Sequence, residues 1–96
     1  MFVVYILFSK KLSKFYIGMT SNFDVRLDFH LNDEQKRKFT YNADDWVLFF
    51  KMDCITKKQA LNIERHIKSM KSEIYIENLV EYPNIGQELF EKYLDC

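Results

Sequence analysis

Phe2-Val3-Val4-Tyr5-Ile6-Leu7-Phe8, then a polar interval from Ser9 to Lys14, then Phe15-Tyr16-Ile17-Gly18-Met19, is the stretch on which the fold turns. Both flanking runs are short, aromatic and β-branched, so the chain opens as a β-hairpin. Working outward, Thr20-Ser21-Asn22 precedes an apolar-periodic segment, and Ser21 with Asp24 forms a helix-capping pattern. The spacing predicts a helix over 23–31 and a charged loop over 32–45 containing Lys36-Arg37-Lys38. Trp46-Val47-Leu48-Phe49-Phe50 is too apolar for a solvated edge and reads as a buried central strand. Thr56 and Gln59 make a Thr-x-x-Gln capping box, and Ala60, Ile63, Ile67 and Met70 recur behind it at helical spacing as a buried stripe. Residues 72–80 read as a further short helix, 81–86 as a turn around Pro83, and 87–94 as a last helix. The predicted class is α+β: a small three-stranded antiparallel-type sheet flanked by helices, in the order ββαβα plus C-terminal helices.

Ninety-six residues suit one domain, 1–96, with 72–96 as an acidic helical tail. Apolar residues at 48% and aromatics at 17% can fill a core, and two glycines and one proline argue against disorder or low complexity. No apolar run approaches the ~20 residues of a membrane span. A signal-peptide cleavage pattern is missing too. Cys54 and Cys96 make a poor disulfide framework and lack metal-site spacing, which leads to the expectation of a reducing, cytoplasmic location. Net charge is zero, yet residues 1–71 hold thirteen of the fourteen basic residues against eight acids, whereas 72–96 hold Lys92 against six acids. Such a polarised chain can offer one positive face to a polyanion; on charge alone, ordinary solvated surface explains it as well.

On the predicted first helix Arg26 and His30 are four residues apart and share a face between apolar patches, with Asp24 and Asp28 roughly opposite. An arginine there presents a rigid fork suited to phosphate oxygens, or simply covers core with its stem while its head reaches water. His30 reads as a hydrogen-bonded boundary residue, and taken alone the two side chains favour these structural readings. On the second helix Lys57, Lys58, Arg65, Lys68 and Lys71 gather beside the buried stripe and Glu64 lies at the border. A carboxylate in that position can hold a hard divalent cation, or can be half of an ordinary Glu64–Lys68 helical pair. The hairpin contributes Tyr5 and Tyr16, each otherwise a core aromatic with a wet hydroxyl, and Gly18, whose place inside a strand implies a close approach by backbone or ligand.

Together these elements resemble the GIY-YIG nuclease superfamily, in particular its small single-domain endonucleases. Val3-Val4-Tyr5, Tyr16-Ile17-Gly18, the Thr20-Ser21-Asn22-Phe23-Asp24-Val25-Arg26-Leu27 course, the Glu64 helix and Lys71-Ser72 follow that family's order over roughly residues 2–80. Val3 replaces the usual first glycine, Asp28 and Glu73 stand where relatives are often basic, and Asn78 is not given the role of the family's late asparagine. The resemblance implies a metal-dependent endonuclease that hydrolyses phosphodiester bonds in DNA, branched or damaged forms included, using one divalent ion, Mg or Mn, and no small-molecule cofactor. By the same resemblance Glu64 would hold the metal and Arg26 would stabilise phosphoryl charge. Tyr5 would position or deprotonate the attacking water, with Tyr16 and His30 assisting. Candidate phosphate contacts are Lys10, Lys11, Lys14, Lys36, Arg37, Lys38, Lys58, Arg65 and Lys68. The competing readings are a weakly active or inactive nucleic-acid-binding module and a small protein-interaction domain.

Overall fold

The computed structural model describes residues 2–21 and 45–94, so the predicted helix over 23–31 and all but the end of the loop over 32–45 lie outside the described residues. Three strands, β1 (Phe2–Ser9), β2 (Lys14–Thr20) and β3 (Val47–Cys54), are followed by three helices, α1 (Lys57–Met70), α2 (Glu73–Glu81) and α3 (Pro83–Lys92). The sheet is antiparallel in the order β2-β1-β3, which makes an α+β fold.

β1 is the central strand because every residue from Phe2 to Phe8 is apolar and can be buried on either face. The sheet alternation splits it: Val4 and Ile6 join the helix-side core with Ala60, Ile63, Ile67, Ile76, Leu79 and Leu89, while Val3, Tyr5 and Leu7 pack with Trp46 on the other face. The expectation that 46–50 forms a buried central strand is corrected: β3 is an edge strand running to Cys54, and Val47 and Leu48 are 55% and 41% exposed. Its second half alternates Lys51 and Asp53 with Met52 and Cys54, a half-solvated pattern. A register shift between Ile6 and Leu7 leaves Phe49 without a partner across the ladder, so Phe49 and Phe50 both pack against the helix-side core. Cys54 is a buried free thiol, pushed up to about 11 by burial and then by Asp53, and therefore protonated at neutral pH.

The Thr56 hydroxyl caps α1, accepting from the Gln59 N–H at 3.1 Å. The return bond is displaced by one residue, since the Gln59 side-chain oxygen Oε1 accepts from the Ile55 N–H at 2.7 Å. Fully buried Gln59 also donates from Nε2 to the Phe90 carbonyl at 2.9 Å, tying α3 to the start of α1. Met70, expected in the buried stripe, is instead 43% exposed, at the last residue of the helix. The turn expected over 81–86 shrinks to Tyr82: Pro83 occupies the first turn of α3, where its missing N–H costs nothing, and Gly86 lies inside the helix. A side chain at Gly86 would press on Met52 at 3.2 Å, so the glycine lets α3 approach β3.

Candidate active site

Tyr5 and Tyr16 come from adjacent strands and stand on the face of the sheet away from the three helices. Their ring centroids are 6.3 Å apart at 38°. Tyr5, 1% exposed, is opposite Gly18 in the ladder, and a Cβ built on Gly18 would lie 2.6 Å from the Tyr5 hydroxyl oxygen. The close approach at that glycine is thus made by the phenol of its own cross-strand partner, which lies flat over bare backbone.

Ser9 and Asp45 hold the turn of this hairpin. The buried Ser9 hydroxyl donates to Asp45 at 2.6 Å and accepts from the Leu12 N–H, and the other Asp45 oxygen accepts from the Lys11 N–H at 2.8 Å. The Ser9 hydroxyl and then the Lys11 N–H lower the Asp45 pKa from its ordinary value, so the carboxylate form is the one that fits. Sequence reading missed this clamp, because its partners are 36 residues apart and belong to no local pattern.

Glu64 is on α1, which packs across β1 and the edge strand β2. Its side chain is 17% exposed, and one oxygen lies 3.3 Å from the Lys68 ammonium; the helical pair expected from the spacing is present. The other oxygen has no partner among the described residues. Among those residues there is no group of three or more His, Cys, Asp or Glu side chains placed to hold a metal. Glu64 is thus a single hard oxygen donor whose second oxygen is unpartnered among the described residues. That donor fits a magnesium-like ion, which is commonly held by one or two carboxylates and completes its shell with water and substrate phosphate oxygens.

The structure therefore brings Tyr5, Tyr16 and Gly18 together, and places Glu64 on the helix that covers the opposite face beside the β2 edge. Arg26 and His30 lie outside the described residues, as do Lys36, Arg37 and Lys38. Lys10, Lys11, Lys14, Lys58, Arg65 and Lys68 are all exposed. Lys10, Lys11 and Lys14 belong to the hairpin turn and its exit, whereas Lys58 is ten residues, or about 15 Å, along α1 from Lys68.

With tyrosine hairpin and glutamate helix in place, comparison with known families becomes decisive. Residues 1–76 match the sequence pattern described as the GIY-YIG catalytic domain. The chain belongs to the GIY-YIG family. Searches of curated proteins and of solved structures returned no match. The match covers Tyr5, Tyr16, Gly18, Arg26, His30 and Glu64, and GIY-YIG membership implies nuclease-type chemistry. It stops within α2, so α3 and its packing lie beyond the matched part of the GIY-YIG domain. No helix among the described residues is long and apolar enough to cross a membrane.

Proposed function

We propose that this protein is a divalent-metal-dependent endonuclease that hydrolyses phosphodiester bonds in DNA, built as one domain over 1–96. The observation that carries the reading is the extent of the catalytic-domain match, which takes in both the tyrosine hairpin and the Glu64 helix. Glu64 would hold the ion, Mg or Mn, which when bound would supply Lewis acidity at the phosphate. Arg26 directs its guanidinium fork at the phosphoryl oxygens, where negative charge builds as water adds to phosphorus. Tyr5, Tyr16 and His30 orient the water and move its proton, and the departing alkoxide takes up a proton as the P–O bond breaks. A phenol accepts a proton only when a neighbouring cation stabilises its anion, and Arg26, within the matched domain, is the cation assigned that role.

A nicking assay on duplex, branched and single-stranded DNA with Mg or Mn tests this. Arg26→Ala and Glu64→Ala are each expected to lower the rate by about 10²–10³-fold with the circular dichroism spectrum unchanged. Cleavage that persists in both variants removes the mechanism. One observation favours a second reading, a nucleic-acid-binding module with little turnover: Tyr5 is almost fully buried. Salt-sensitive DNA binding without cleavage under any of these conditions selects that reading.

A further inference from the structure

A concave feature lies where β2 meets the junction of α1 and α2. It is a cleft of about 300 Å³, floored by Phe15, Ile17, Ile67 and Ile76 and rimmed by Lys14, Lys68, Lys71 and Glu73. The three lysines come from three separate places: the start of β2, the last turn of α1 and the α1–α2 link. One carboxylate against three ammoniums leaves the rim two charges positive. Lys68 is already shared with Glu64, but Lys14 and Lys71 have no side-chain partner among the described residues. The Tyr75 N–H in the first turn of α2 is satisfied by the Ser72 hydroxyl, and the lysine ammoniums supply the net positive charge of the rim.

Lys71 also occupies a conformation that a lysine adopts at a cost. It ends α1 with φ 48° and ψ 41°, the left-handed region in which glycine is the usual residue. Holding a long cation at this point, where glycine would be less strained, puts its ammonium on the cleft rim.

We infer that this cleft is a phosphate subsite, holding a backbone phosphodiester of the DNA strand next to the one being cut, with the adjoining sugar and base lying on the apolar floor. The inference rests on the nuclease reading above. Spacing supports it: Lys68 is one helical turn, about 6 Å, from Glu64, a distance within the reach of a neighbouring nucleotide. An apolar floor beneath a cationic rim suits a nucleotide better than a free inorganic anion, since it covers base and sugar as well as charge.

The test uses the full chain with a labelled single-stranded oligonucleotide, measuring affinity against salt for wild type, Lys14→Ala/Lys71→Gly and the control Lys92→Ala. The double variant is expected to bind more weakly and to lose about 1.4 from the slope of log affinity against log salt, while the control keeps both. Lys71→Gly alone is expected to weaken binding while its thermal midpoint holds or rises, because glycine relaxes the left-handed position. A fall in that midpoint makes Lys71 a structural residue and overturns the subsite. An unchanged salt slope in protein that still cleaves DNA through Glu64 also overturns it and leaves the nuclease reading standing. Loss of Glu64-dependent cleavage in wild type, with the slope change intact, removes the nuclease reading instead.

Discussion

Gly18 shows how a single position joins motif to structure. It makes room for the Tyr5 ring in the cross-strand site, where an added methyl would meet the phenol oxygen at 2.6 Å. The Tyr5 ring cannot give way easily, since it is almost fully buried. Gly18→Ala is therefore expected to cost about 1–3 kcal/mol in urea unfolding and to lower cleavage by displacing Tyr5. A fully stable Gly18→Ala with wild-type rate would remove the positioning role. The hairpin that brings Tyr5, Tyr16 and Gly18 together was legible in the sequence because two short apolar runs flank one polar interval. Asp45 was not, since its worth depends on Ser9 and Lys11, which only the folded chain brings near.

Among the elements, α3 is the one whose docking is most exposed to solution conditions. His66 of α1 and Tyr93 share a hydrogen bond at 3.0 Å, with Tyr75 of α2 and Glu88 and Lys92 of α3 around them. Burial first and Lys92 second lower the His66 pKa from its ordinary 6.5. A lowered pKa means that the unfolded chain takes up the proton first. The stability linked to neutral His66 is thus complete above about pH 6.5 and drains away as pH falls through the folded value. Melting midpoints measured from pH 8 to 5 are expected to decline more steeply for wild type than for His66→Gln, and parallel curves would contradict this. The helix α1 was legible from its cap and its apolar spacing, and its one misplaced member, Met70, is the terminal residue, where periodicity alone does not fix burial. α3 was misread at its start because proline signals both a turn and a first helical position, and only packing of Gly86 against Met52 decides between them.

At the scale of the whole molecule, the core does not stop where the family match stops. Leu79 and Leu89 are buried in the same cluster as Val4 and Ile6, and Gln59 reaches Phe90 from the first turn of α1. Ending the chain at residue 76 is expected to strip this cover and yield a molten or aggregating product, seen as lost amide dispersion in NMR spectra; a well-dispersed fragment would show that α3 is dispensable. The class of fold was legible because three apolar strand runs and capped helices allow few arrangements, but the order of the strands was not. β1 and β3 both read as apolar, and which is central depends on the charged alternation of Lys51 and Asp53. The middle position of β1 has a consequence for synthesis. β1 is synthesised before β2 and β3, zips to β2 along one side, and then waits through residues 21–46 before β3 can close its other side. Until then the nascent protein carries a raw, water-averse border, so slow translation or a stall between the two hairpin strands and β3 would be the moment when it most needs a chaperone.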